Sequence, residues 1–477
     1  MHHRPRHRAP AAGSPWSLLV LLAVAQLMVI LDISAVNVAL PSIRADLGLS
    51  TASLQWVVSG YVLGYGGLLL LGGRAADLLG RRRVFLTGLA VFTASSLLTA
   101  LAGGAAMLFA ARAGQGLGAA LLSPAALSII TSTFHGPERA KALGVWGAVG
   151  GAGAAIGVLL GGALTELVDW RAIFLINLPV GLALAAGAMK LLPADPARPR
   201  WRGLDLRGAL LATASLGALV YALAQAQRSG WTSAQTLGLG AAALAGLAAF
   251  AVLELRTPQP LLRVQRLRDR GVGGGFVMML AASSVLFGSF LLSSLYLQNV
   301  LGTGAFATGL AFLPFALVLG AGVHAGNHLI SHAGVRVPLA VGFAIAAAGL
   351  LLLSRVSAGG SYAADVLPGM LVTGVGLGIV LVSVSVAVLT GAAEHESGML
   401  SGLNTTGHEI GGSLGIAILA TIAAGAAGPS AAADAIGDAF LAAAAIAGVA
   451  GVAALVILPS ARIFLPKLAL APRVAVH

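Results

Sequence analysis

Four ionisable side chains stand where an apolar sequence has little use for charge. Asp32 lies in "LDISAVNVALP", Leu31 to Pro41. Arg112 lies in "ARAGQGLGAA", which starts at Ala111. His408 and Glu409 lie side by side in "LNTTGHEIGGSLGIAIL", Leu403 to Leu419. Burying an unpaired charge is expensive, so each must find a partner or water. An acid inside a membrane span is by default a site for binding an ion or a proton. The plainer reading at each position is a structural hydrogen bond to a neighbouring helix. Asp32 lies ~22 Å along its helix from one membrane face, and Arg112 lies ~20 Å from the same face on a helix running the other way. Equal depth predicts that the two interact. Glu409 sits ~15 Å into its own span, near mid-bilayer. Gly402, Thr405, Glu409 and Gly412 or Ser413 recur at helical spacing, with Asn404 and His408 beside them. That face is small and polar, which suits a cavity or a close helix contact.

The elements holding these residues are membrane helices. The 477-residue chain is 58% hydrophobic and only 9% charged, against about 25% charged in soluble domains. Cysteine is absent, which excludes disulfides and thiolate metal sites. The start of the chain has the basic and apolar regions of a signal peptide but no small-residue cleavage site, and it reads as an uncleaved first span. Apolar segments of about 20 residues, each long enough to span, recur fourteen times. Twenty-three of the 28 Lys and Arg fall on one side of that arrangement, four fall on the other, and Arg112 falls within a span. This bias puts both termini in the cytoplasm. The net charge of +12 is therefore a topology signal and implies no nucleic-acid partner.

Span 4, "GQGLGAALLSPAAL" from Gly114, has a counterpart in span 12, "GVGLGIVLVSVSVAV" from Gly374. Aligned glycine to glycine, Val372 stands where span 4 has Arg112. The expected fold is an all-α polytopic membrane protein: two related six-helix bundles plus two inserted central helices. The expected bounds are an N-tail over 1–15, a first bundle over 16–192, a linker with spans 7 and 8 over 193–271, a second bundle over 272–460 and a C-tail over 461–477. Two six-span halves around a central site is the plan of many secondary transporters. The 65 glycines suit close helix packing. No G-x-x-x-x-G-K-[ST] is present, so the energy source is not ATP bound by a P-loop. "GQGLGA" lacks the strand a dinucleotide fold needs, and "HEIGG" lacks the second histidine of a zinc helix. No cofactor, metal or catalytic constellation is expected.

The loop between spans 2 and 3 reads "GGRAADLLGRRR". Gly73, Asp77, Gly80, Arg81 and Arg82 match the G-x-L-a-D-r-x-G-r-k signature, which resembles that of the major facilitator superfamily. Asp32 and Asn37 fall in a segment similar to the first-span motif of the drug:proton antiporter branch. Arg112, Gln115 and Gly116 resemble the R-x-x-q-G motif. Gly144, Gly153, Gly157, Gly161 and Gly162 match the antiporter motif, with Val158 in place of its proline. "DWRAIFLINLPVG", Asp169 to Gly181, resembles a segment of the fourteen-span branch. The resemblance implies alternating access and export of hydrophobic, often cationic, compounds from a bacterial inner membrane by a monomer exchanging substrate for protons. On that expectation Asp32, Arg112 and Glu409 serve proton coupling. Asn37, Gln115, Asn404, Thr405 and His408 line the small-molecule cavity. Gly73, Asp77, Gly80, Arg81 and Arg82 form a cytoplasmic gate, and the five motif glycines pack span 5. A His-Glu pair is a departure from the family pattern, so the roles given to Glu409 and His408 rest on their depth and polar face and are not inherited. The alternatives are a dedicated exporter of one metabolite, or a non-transporting scaffold or sensor.

Overall fold

In the computed structural model the described residues are 14–49, 51–134, 136–195, 205–390, 396–424 and 428–469, and among them there is no strand. The expected N-tail falls largely outside this set, and the first nine residues of the expected C-tail, 461–469, are helical. Helices occupy all fourteen expected positions. They are α1 (Pro15–Leu47), α2 (Thr51–Leu79), α3 (Arg81–Ala100), α4 (Ala105–Thr133), α5 (Gly136–Leu167), α6 with α7 (Ala172–Leu175 and Asn177–Leu191), α8 (Leu206–Ser229) and α9 (Ala234–Arg256). After these come α10 (Val272–Leu295), α11 with α12 (Ala305–Ala311 and Leu313–Ala333), α13 (Arg336–Leu353), α14 (Leu367–Leu389), α15 (Ser397–Ala423), α16 (Pro429–Ile457) and a short α17 (Ala461–Ala469). Eleven spans are both long and apolar enough to cross a membrane. Helix α15 falls outside that group, its hydropathy diluted by the polar run around His408 and Glu409.

Local sequence sets the helix ends. Ser14 caps α1 by accepting from the Trp16 N–H at 3.3 Å, Pro15 follows at the first helical position, and Gly48 ends the helix at φ 61°. Between α2 and α3 the chain turns at Gly80, φ 106°, a conformation that L side chains rarely adopt.

Helix pairing repeats between the two halves. In the first, α4 packs on α2 and α3, α1 on α5, and α7 on α3 and α1. In the second, α14 packs on α12 and α13, α10 on α15, and α16 on α13 and α10. The halves meet through two equivalent contacts, α2 with α15 and α5 with α12. Helices α8 and α9 pack on each other, and α8 leans on both α2 and α15. The inserted hairpin thus lies along one seam between the halves.

Lipid tails are as apolar as leucine, so backbone proximity does the holding. A Cβ at Gly118 would fall 2.8 Å from the Gly88 carbonyl on α3, and a Cβ at Gly376 would press on Gly342 and Ala346 of α13. This packing equates Gly118 with Gly376 and Gly88 with Gly342, which shifts the glycine-to-glycine alignment by two residues. The counterpart of Arg112 is therefore Met370, not Val372, and that of Gln115 is Thr373. The slip arises because both helices carry glycine at every second position, so motif spacing alone does not fix the register.

Candidate functional site

Asp32 and Arg112 form an ion pair inside the first half, with side-chain exposures of 0% and 1%. Arg112 Nη1 donates to Asp32 Oδ2. Its Nε donates to the Val57 carbonyl of α2 at 2.8 Å, and Nη1 also donates to Gln115 Oε1 at 2.8 Å. Gln115 Nε2 donates back to Asp32 Oδ1 and to Ser96 Oγ, each at 2.8 Å. Asn177 Nδ2 donates to Asp32 Oδ1 and Ser96 Oγ at 3.2 Å. Thr99 Oγ1 donates to Gln115 Oε1 at 3.2 Å. The guanidinium carbon sits 4.5 Å from the centre of the Tyr61 ring, a cation–π contact. Five helices thus meet on one carboxylate. A buried pair survives only when its remaining lone pairs and protons are satisfied, and this network meets that condition.

Gln115 is among the residues expected to line the cavity. It is fully buried and ties Asp32 to Arg112. Its spacing explains this, since residues three apart on a helix share a face. Asn37 lies on α1, with its side chain outside the described residues. Ser96, Thr99, Asn177 and Tyr61 belong to the site without having been marked by the sequence reading. Asn177 carried a signal, as the asparagine of "DWRAIFLINLPVG". The same segment anchors the other end of α1: Trp170 Nε1 donates to Asp46 at 3.2 Å, and Arg171 pairs with Asp46 at 2.8 Å.

The α5 glycines hold α1 in position. A Cβ at Gly153 would meet Ile30 at 2.9 Å, and one at Gly161 would meet Ala35 at 2.6 Å. One at Gly157 would strike Ser34 and stand 3.1 Å from the Leu31 carbonyl. The stripe therefore brackets Asp32. Gly162 lies beside Val38, and Gly144 faces Asn327 of α12 across the second seam.

The α15 cluster contrasts with this sealed network. The His408 and Glu409 side chains are 22% and 23% exposed, with Nδ1 and Oε1 3.4 Å apart. The His408 ring stands edge-on to Phe287 of α10, with centroids 5.2 Å apart. Helix α15, which carries the pair, packs on α2 across the seam between the halves. Tyr65 donates to Ser123 at 3.2 Å, and Ser123 donates to Gln26 at 2.7 Å. Asn404 and Thr405 are buried: Thr405 donates to the Ser401 carbonyl, and Asn404 Oδ1 has no partner.

At the loop end of α2, Asp77 accepts from the Gly398 and Met399 N–H groups, both at 2.9 Å. A carboxylate at a helix N-terminus is favourably placed, and here it ties α2 to α15 of the opposite half. Arg81 donates to Ser397 Oγ at 2.7 Å. Arg82 donates from its side chain to the Met189 carbonyl at 2.9 Å and from its backbone to Asp195 at 3.1 Å. Gly73 allows the crossing, its added Cβ standing 3.1 Å from the Gly402 Cα, and a Cβ at Gly80 would strike the Asp195 carboxylate.

A family model described as Major Facilitator Superfamily matches residues 22–416. The chain belongs to the major facilitator superfamily. It is 42% identical over 419 residues to a puromycin resistance protein of Streptomyces alboniger, covering 86% of this chain and 82% of that one. It is 41% identical over 440 residues to a cephamycin export protein of Amycolatopsis lactamdurans, covering 91% and 90%. Its fold is similar to the crystal structure of the human organic anion transporter MFSD10 (TETRAN). That match has a TM-score of 0.64 and 16% identity, covering 93% of this chain and all of the other. The chain is thus a multi-pass membrane protein of a transporter family.

Proposed function

We propose that the protein is a proton-coupled efflux transporter of the fourteen-span drug:proton antiporter branch, moving hydrophobic or cationic compounds by alternating access between its two halves. The observation that carries the reading is a pair of membrane-depth carboxylates in unlike surroundings. Asp32 is sealed against Arg112. Glu409 is partly open, on the helix α15 that packs on α2 of the opposite half. Exchange needs a site that both sides can reach in turn, and Glu409 fits it. Asp32 acts when its network opens, since protonating the acid releases Arg112. The Asp77 latch to α15 is the cytoplasmic gate, with the termini on its side of the membrane. Asn404, Thr405 and His408 lie on the α15 face that borders the substrate path.

Everted vesicles test this reading. Asp32→Asn and Glu409→Gln are each expected to abolish pH-driven efflux. Full activity in both variants would sink the coupling assignment. A second reading, export of a single antibiotic, is favoured by the two relatives above, each of whose names carries one antibiotic. A substrate panel separates the two: a broad pump moves unrelated drugs, and a dedicated exporter moves one scaffold.

A further inference from the structure

The inserted hairpin carries a buried acid that neither the gate nor the coupling site uses. Glu254, near the end of α9, is 2% exposed. Its Oε2 accepts from the Leu262 N–H at 2.9 Å, and its Oε1 has no hydrogen-bond partner. Asp205 caps α8, its Oδ1 accepting from the Gly208 N–H at 2.9 Å, while its Oδ2 is likewise buried and unpartnered. The two orphan oxygens abut one spot. A Cβ built on Gly208 would strike Glu254 Oε1 and lie 2.8 Å from Asp205 Oδ2. Glycine at 208 is what leaves room for them to approach. Asp205 and, from α2, Arg74 are charged side chains near Glu254, whose carboxylate also faces the Leu261 and Leu262 N–H groups. The Nε of Arg74 is itself without a partner, and its charge also faces Asp77, Arg263 and Glu396.

Two buried carboxylate oxygens that border one small space, neither with a donor of its own, do not readily both stay ionised. One proton between them satisfies both. We propose that Asp205 and Glu254 form a carboxyl–carboxylate pair that takes one proton from the cytoplasmic side, at a site separate from Asp32 and Glu409. Its parts have distinct roles. The α8 N-terminus favours the ionised form of Asp205, so the proton rides on Glu254 Oε1, which donates to Asp205 Oδ2. The pair sits at the root of a strap: Leu262 is followed by Arg263 and Arg266, which both grip Glu396, just ahead of α15. The inserted hairpin thereby offers the gate a proton-bearing anchor that the twelve other spans do not supply.

Infrared difference spectroscopy on the full-length protein in lipid nanodiscs at neutral pH tests this directly. Wild type minus Glu254→Gln is expected to show one neutral-carboxyl absorption, because the amide keeps the Leu262 contact and removes the acid. Asp205→Asn is expected to move or abolish the same band, because it changes the acceptor. A flat wild-type-minus-Glu254→Gln spectrum overturns the proposal, as does a band indifferent to Asp205→Asn. A band that vanishes when choline is replaced by sodium overturns it in favour of a cation site. Matched thermal unfolding of both variants shows that the readout comes from folded protein.

Discussion

The two halves of the molecule use the same helix pairing to build opposite interiors. In the first, α1, α2, α3, α4 and α7 converge on Asp32 and Arg112, and the side chains that hydrogen-bond the pair are interlinked, while the Tyr61 hydroxyl has no partner. In the second, the equivalent helices α10, α13 and α14 enclose a small cavity lined by Ser289, Ser293, Leu353, Met370 and Thr373, among others. Met370 and Thr373 stand where packing places Arg112 and Gln115, and the Thr373 hydroxyl has no partner. The second half therefore has no ion pair at the matching position. Its charge stands instead at Glu409, on α15 and partly open. One half stores charge and the other presents it, a division of labour that a repeat with identical halves would lack.

Removing a partner from the sealed side should have the largest effect. Arg112→Ala strands the Asp32 carboxylate in a dry site and is expected to cost about 3–5 kcal/mol, read as loss of the folded fraction on denaturant titration in micelles. Survival at wild-type stability would mean that water reaches Asp32, and the contrast between the halves would fail. Glu409→Gln on the open side should leave unfolding within about 0.5 kcal/mol of wild type while abolishing pH-driven efflux in vesicles. A large stability loss would recast Glu409 as structural. Asp77→Ala deprives two α15 N–H groups of their acceptor and should cost about 1–2 kcal/mol. Cysteine pairs placed across the α2–α15 seam of this cysteine-free chain should then cross-link less. The smallest effect is expected in the second-half cavity: Thr373→Val removes an unpartnered buried hydroxyl and should raise stability by about 1 kcal/mol. A loss would show that the hydroxyl is bonded after all, and that the cavity is a second polar site.

Much of this arrangement was legible in the sequence, because membrane depth follows from residue count. Asp32 and Arg112 are matched by helix rise alone, and the Asp77 contact to a helix end follows from carboxylate chemistry. What escaped depends on helix rotation. Ser96, Thr99 and Tyr61 are small or neutral side chains among many like them, and only the way α2 and α3 face α4 brings them to the ion pair. Gln115 was placed on the cavity for the same reason, although its spacing from Arg112 already put both on one face. The repeat was visible, yet its register slipped by two residues, since glycines at 114, 116 and 118 offer equally good alignments and only the contacts of Gly88 and Gly342 choose among them.

The Asp77 latch grips main chain. Its partners are the amides of Gly398 and Met399, which nearly any residue would supply. The two hydrogen bonds therefore do not depend on the side chain at 399, whereas at Gly398 a Cβ would crowd Asp77 at 2.6 Å. A contact made to main chain survives point mutation of its partner's side chain, so this link between the halves can persist while the neighbouring sequence changes.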